Sequence, residues 1–304
     1  MANMHFPFSS APTRTIEEIQ FGLFSQKESE RLAVIDIEYP ETMDEARLRP
    51  REKGPNDPHL GTIDRNFKCA TCEEDQVECP GHFGVIKLAV PVYHHGFLKQ
   101  VKKILETVCH NCGKIKAVED EAFRSALRIR SRKARFDKIW ELSKSKLICE
   151  PDPPEEENAA KQGLPVIRHG GCGNVQPQMR KAGIQLFAAF KPRKSEEDDE
   201  IPGGAQPEKK RFSAQDALNV FRNMHDETLE ILGLNADYAR PEWMILSALP
   251  VPPPPVRPSI SVDGSGQGQR GEDDLTFKLG DIVRANQNVL RTEHDAPPNP
   301  FALR

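Results

Sequence analysis

Apolar positions recur along this chain with two spacings, and the spacing changes several times. Residues 84–90, Gly-Val-Ile-Lys-Leu-Ala-Val, are almost continuously apolar and predict a buried strand. Val101, Ile104, Leu105 and Val108 then follow at three- and four-residue intervals, the signature of an amphipathic helix. Further helices are predicted around 119–130 and 134–146, and residues 184–190 read as a strand. Ser213 is placed to cap a helix carrying Ala217, Leu218 and Phe221, and Gly233 to end the next in a left-handed conformation. Residues 243–246, Trp-Met-Ile-Leu, predict another buried strand. A last helix is marked by Leu275, Leu279, Ile282, Val283, Asn286, Val289 and Leu290, with Glu272, Asp273 and Asp274 at its positive end. Near the N-terminus, residues 19–23 alternate like a strand, although Ile16, Ile19, Leu23 and Phe24 also fit helical spacing. Ser25-Gln-Lys-Glu28 is a capping box opening a short helix, and residues 34–37 return to strand.

Breakers divide these elements. Residues 40–58 form a polar, proline-bounded excursion with the character of a functional loop. Residues 151–157 are rich in Pro and Glu, and 191–210 read as a low-complexity linker. Pro252 to Pro255 cannot continue a helix and predict stiff polyproline II, followed by a Gly/Ser/Gln-rich tip at 263–271. Stiffness followed by softness fits an inter-domain linker or a projecting finger.

The seven cysteines add chemistry to this picture. Cys69-Ala-Thr-Cys72 with Cys79-Pro-Gly-His82 makes one set of four donors, and Cys109-His-Asn-Cys112 with Cys149 and Cys172 makes a second. No cysteine is left over, and both sets match closed, tetrahedral zinc sites of the structural kind. Cys149 on its own reads better as a small buried hydrophobe, and His110 and His169 stand close enough to substitute as ligands. A redox CxxC lacks a βαβ setting here, and a RING cross-brace would need a second closing CxxC. The odd count and the uncharged N-terminus argue against a secreted disulfide framework, so the chain is expected to be soluble and intracellular. No apolar run approaches the roughly 18 residues of a membrane span. The expectation is an α+β chain with short sheets, several helices and two structural zinc sites.

The formal net charge of −4 conceals segregation. Basic residues dominate 99–146, including Arg124, Arg128, Arg130, Arg132, Lys133 and Arg135, whereas acids gather at 151–157 and 195–200. The basic stretch is either a solvated pair of helices or a surface near phosphate backbone.

The blocks Gln20-Phe-Gly-Leu-Phe24, Tyr39-Pro-Glu-Thr-Met-Asp44, Glu78-Cys-Pro-Gly-His-Phe-Gly84 and Gly170-Gly-Cys-Gly-Asn174 closely resemble the N-terminus of the largest subunit of DNA-dependent RNA polymerase. So do Arg240-Pro-Glu-Trp-Met-Ile-Leu246, Leu249-Pro-Val-Pro-Pro-Pro-Pro-Val-Arg-Pro-Ser-Ile260 and Arg270-Gly-Glu-Asp-Asp-Leu-Thr-Phe-Lys278, and the four prolines resemble the polymerase II form. The resemblance implies an irregular zinc-stabilised clamp fold over residues 1–291, closing on DNA and the RNA–DNA hybrid. It implies zinc sites at 69–82 and 109–172, the latter with a helical insert. It also implies a lid-like loop at 251–271 and the start of a coiled-coil helix at 272–291. The expected ligands are Cys69, Cys72, Cys79 and His82, then Cys109, Cys112, Cys149 and Cys172. Arg257, Arg270, Arg128, Arg130 and Arg132 are the candidate nucleic-acid contacts.

Implied partners are DNA, the hybrid, other RNA polymerase II subunits, and initiation and elongation factors, with no membrane, in the nucleus. The family is a nucleotidyltransferase, but its Asn-Ala-Asp-Phe-Asp-Gly-Asp magnesium motif is absent from these residues. Magnesium is therefore expected only in a missing catalytic part, with this chain inactive alone. Residues 292–304 depart from the family pattern, so a truncated product or partial gene model is expected. A stand-alone zinc-binding module for nucleic acid or protein is the alternative.

Overall fold

The computed structural model describes residues 14–44, 49–62, 67–151, 170–190, 208–261 and 270–295. Seven helices occur among them: α1 (Gln26–Leu32), α2 (Leu98–Thr107), α3 (Glu121–Leu127), α4 (Arg132–Ser143), α5 (Ala214–Arg222), α6 (Asp226–Leu232) and α7 (Asp274–Asp295). The strands are β1 (Gly84–Tyr93), β2 (Gln178–Ala182), β3 (Gln185–Phe190), β4 (Glu208–Phe212), β5 (Ile245–Val251), β6 (Ile260–Ser261) and β7 (Arg270–Gly271). The architecture is α+β, as the sequence leads one to expect.

Helix starts follow local chemistry. Ser25 and Glu28 close the predicted capping box on α1, and Ser213 with Asp216 closes another on α5. Gly233 ends α6 at φ 76°, where a Cβ would be disfavoured. Helices α3 and α4 begin at Asp120 and Ser131, whose side chains accept from Phe123 N and Ala134 N.

Strands β1 and β5 lie about 150 residues apart in the chain and pair antiparallel, from Gly84↔Val251 to Tyr93↔Ile245. The other edge of β1 receives residues 34–37, which contribute a single parallel bridge, Asp36↔Val85, rather than the full strand expected. Residues 19–23 form neither strand nor helix; Ile19 and Phe21 stay exposed, and an isolated extended segment has no face to bury. Only Leu23 is tied down, its N–H donating to Tyr238 O at 2.7 Å.

The larger core lies between α2, α3, α4, α5, α6 and one face of the β2–β3–β4 sheet. Val101, Ile104, Leu105, Ile139, Leu186, Phe221 and Leu232 are fully enclosed there. Strand β4 falls where a linker was expected, because Glu-Lys-Lys-Arg shows no apolar alternation and Phe212 alone reaches the core. A smaller core joins Ile37, Leu60, Ile86 and Val251 to Leu279 and Val283 of α7.

Two further expectations are corrected. Pro241–Met244 is a 3₁₀ turn and β5 starts only at Ile245, since Pro241 fixes φ at the turn's first position. Pro253 is polyproline II-like, φ −68° and ψ 160°, but Pro254–Val256 closes into another 3₁₀ turn. Proline's fixed φ serves both conformations, so composition does not choose between them. The tip beyond this turn lies largely outside the described residues, as do the acidic runs at 152–157 and 195–200 and the tail from 296. At the base of the tip, Ile260↔Gly271 and Ser261↔Arg270 pair as a short hairpin.

The β1 register shifts between Lys87 and Val92, leaving backbone groups without a strand partner. Asn286 of α7 supplies one: its Oδ1 accepts from Ala89 N at 2.8 Å and its Nδ2 donates to Lys87 O at 2.9 Å. Asn286→Ala should therefore lower unfolding stability by about 1–3 kcal/mol, read as a urea midpoint shift at unchanged slope. A loss below a few tenths would mean that water replaces the amide without penalty.

Candidate metal centres and basic surfaces

The two CxxC segments fold into the same knuckle. Glu73 N donates to Cys69 O at 2.9 Å and Cys69 N to Glu74 O at 3.0 Å. Gly113 N donates to Cys109 O at 3.0 Å and Cys109 N to Lys114 O at 2.7 Å. The residue after the second cysteine takes a left-handed φ in each case, 62° at Glu73 and 71° at Gly113. Each turn also aims an N–H at its first sulfur: Thr71 N to Cys69 Sγ and Asn111 N to Cys109 Sγ, both 3.4 Å.

In the first set, Asp75 holds the turn before Cys79, its Oδ1 accepting from Val77 N and Glu78 N. Gly81, at φ 82°, redirects the chain so that His82 joins, and Cys79 Sγ lies 3.8 Å from His82 Nε2. Gly81 also packs on the proline segment; a Cβ there would lie 2.7 Å from Pro253 Cβ. The donor atoms of Cys69, Cys72, Cys79 and His82 all fall within 4.8 Å of one another.

The second set gathers distant segments. Cys109 Sγ is 3.5 Å from Cys172 Sγ, and Cys112 Sγ is 3.7 Å from Cys149 Sγ. A tetrahedron with Zn–S of about 2.3 Å has an S···S edge of about 3.8 Å. These separations are far longer than a disulfide bond of about 2.05 Å, and all seven cysteines are free. The knuckle's hydrogen-bond pattern recurs in two pieces: Cys149 N donates to Asn174 O, and Gly173 N to Cys149 O at 2.8 Å. Gly173 is left-handed at φ 73°. All four sulfurs lie within the same 4.8 Å.

His110 does not join them. Its ring Nε2 lies 3.0 Å from Leu105 O, and burial pushes its pKa down to about 4. The remaining histidine alternative, His169, lies outside the described residues.

Without a cation these thiols are poorly disposed to ionise where they are buried. Burial pushes Cys79 and Cys149 up to about 11 and raises Cys109 as well. Burial acts the same way on Cys69 and Cys172, but hydrogen bonds outweigh it and both fall, Cys172 to about 7. Lys116 is buried near the second set, with Nζ 3.2 Å from Lys146 O; burial lowers its pKa to about 8, while Glu106, Cys109 and Cys149 pull it upward. Convergent soft donors in a closed pocket suit Zn²⁺, and four protein ligands leave no open position for substrate.

The expected nucleic-acid residues separate. Arg128, Arg130 and Arg132 lie between the C-cap of α3 and the first turn of α4, all exposed. Nearby lysines are partly neutralised: Lys103 pairs with Asp137 at 2.7 Å, and both Lys103 and Lys144 lie over the Trp140 ring. Arg270 is in β7, with its side chain outside the described residues.

Arg257 faces inward, against expectation, at 1% exposure. It donates from Nε to Pro252 O (2.9 Å), from Nη1 to Asn56 Oδ1 (2.9 Å) and Thr276 Oγ1 (3.2 Å), and from Nη2 to Pro55 O. A guanidinium enclosed in this way presents no donor to a phosphate. Sequence reasoning also missed a basic row on the β2–β3–β4 sheet, because cross-strand register is invisible in a polar strand.

The family model for RNA polymerase Rpb1, domain 1, matches residues 13–301. The chain belongs to that family, the N-terminal region of the largest RNA polymerase subunit.

Proposed function

We propose that this member of the Rpb1 domain 1 family is the clamp portion of an RNA polymerase II largest subunit, retaining DNA and the RNA–DNA hybrid during transcription in the nucleus. In this reading residues 1–291 form the clamp, 251–271 its lid-like loop and 272–291 the start of a coiled-coil helix for initiation and elongation factors. The observations that carry it are the pair of complete four-ligand centres and the exposed arginine cluster between α3 and α4. Zinc would hold the two knuckle regions together through Cys69, Cys72, Cys79 and His82 and through Cys109, Cys112, Cys149 and Cys172. Its contribution when bound is fold stability and charge compensation of thiolates, with no coordination position for chemistry.

Nucleotide addition needs magnesium ligands that these residues do not include, so they act by holding nucleic acid and by separating strands. Other polymerase subunits would supply the rest of the enclosure. Among the described residues no helix is long and apolar enough to cross a membrane.

Arg128, Arg130 and Arg132 are the duplex and hybrid contacts in this proposal. Each phosphate neutralised adds about 0.9 to the slope of log affinity against log salt. Changing all three to Ala should reduce the slope for an RNA–DNA hybrid by roughly 2–3. Titration at several salt concentrations measures it, and an unchanged slope would remove these arginines from the interface.

A further inference from the structure

The β2–β3–β4 sheet has one face in the core and one facing out. Met179, Leu186 and Ala188 are buried in the larger core, with Phe212 packed against it. Alternation along a strand sends the intervening residues to the opposite face. Register then aligns them into rows: Arg180↔Phe187↔Arg211, and beside it Gln178↔Ala189↔Lys209. Directly opposed residues share a face, with Cβ atoms about 4.5–5.5 Å apart. The outer face therefore carries an aromatic ring on the central strand, a guanidinium on each flanking strand and an ammonium one row along.

These groups are available. Arg180, Lys209 and Arg211 are exposed and Phe187 is part-exposed. Arg180 touches a neutral partner, Gln178 Oε1, at 3.2 Å. Among the described residues none of the three cations forms an ion pair, and no cation lies over the Phe187 ring. Among the described residues the charge on this face is of one sign and has no acidic partner, which favours an anionic occupant.

We propose that this face is a platform for single-stranded nucleic acid, with a base stacked on Phe187 and flanking phosphates on Arg180 and Arg211. A duplex hides its base faces, so an aromatic between two cations suits an unpaired strand; stacking of this kind contributes about 1–3 kcal/mol per base. The surface is separate from the α3–α4 arginines, and the proposal rests on the nucleic-acid reading only for the class of ligand.

The test uses the full zinc-loaded chain and labelled single-stranded oligouridylate, with an RNA–DNA hybrid of the same length as the second probe. F187A should weaken single-strand binding about 5- to 150-fold, the equivalent of 1–3 kcal/mol, with salt slope and hybrid binding unchanged. R180Q with R211Q should lower the single-strand slope by about 1.4, at 0.7 per contact. F187W should keep binding and change its emission on adding oligouridylate, a readout that survives if F187A folds poorly. Single-strand binding indifferent to Phe187 in a folded variant overturns the platform alone, because the arginine stems would then merely shield the ring. If the unmodified chain binds neither probe, both this proposal and the clamp reading fall.

Discussion

Serine in place of Cys149 is expected to unfold the larger core, with zinc content falling from two ions per chain to one. Cys149 has 0% exposure, and among the described residues its sulfur is the donor of the second set that lies between the α2 knuckle and the Gly171–Asn174 turn. The intervals on either side are long, so closing them without metal costs chain entropy that local hydrogen bonds do not recover. Structural zinc contributes apparent folding free energies of about 10–16 kcal/mol in small peptides, comparable with the whole stability of a domain at about 5–15 kcal/mol. Loss of one ligand should therefore remove the cooperative thermal transition of the α2–α6 region. His82→Ala removes a ligand of the first set and should act on the smaller core, because the backbone N–H of His82, which the metal would hold in place, donates to Leu60 O there. Retention of two ions and an unchanged melt in the Cys149 variant would refute the second centre.

Acid should mimic the substitution, and the sign follows from the thiols. Buried Cys79 and Cys149 are held near 11 without metal, so at neutral pH metal binding must displace their protons. Affinity, and the stability linked to it, is present at high pH and lost as pH falls and protons compete. Zinc release should accordingly steepen on acidification at fixed chelator concentration, read by a colorimetric zinc probe.

What was legible in the sequence was local. Ser25 and Glu28 announce a helix start because both halves of the box lie within one turn. Cys69 and Cys72 announce a knuckle because both donors sit on one tight bend. Cys149 and Cys172 were assignable only through the count of unpaired thiols and the family resemblance, since neither has a partner nearby in sequence. Where partners are distant and unlabelled, reading failed. Residues 208–212 look like linker because a polar edge strand is recognised only by the strand it meets, here β3. Residues 19–23 carry strand spacing, yet no sheet among the described residues receives them. Asn286 gives no sign that it repairs a bulge in β1. Arg257 reads as a phosphate contact from its place in a stiff proline-rich loop that resembles a lid, whereas three of its four acceptors, on Pro55, Asn56 and Thr276, come from segments far away in sequence.

That last reversal yields an experiment that separates the two roles. Arg257→Ala should destabilise the fold by about 3–5 kcal/mol, the range for breaking a buried charged network. It should leave the salt slope of nucleic-acid binding unchanged. The guanidinium ties the 50–60 loop, through Pro55 and Asn56, to the proline segment at Pro252 and to α7 at Thr276. Asn56 Nδ2 in turn donates to Glu272 Oε1 at 3.0 Å, while the buried Glu272 Oε2 has no hydrogen-bond partner among the described residues. Burial lowers the Arg257 pKa to about 10, with Glu272 and Asp273 opposing the shift, so the group stays cationic at neutral pH and compensates that carboxylate. Removing it leaves four acceptors unmatched and takes the nearby positive charge from the part-buried Glu272 carboxylate. Arg257→Lys should recover only part of the loss, because an ammonium cannot span acceptors placed for a planar fork. Urea denaturation of the zinc-loaded variants reads the first effect, and hybrid titration against salt reads the second. A slope reduced by about one with stability intact would return Arg257 to the surface as a phosphate contact. The opposite pattern makes it the pin that fixes the base of the 260–271 hairpin against α7.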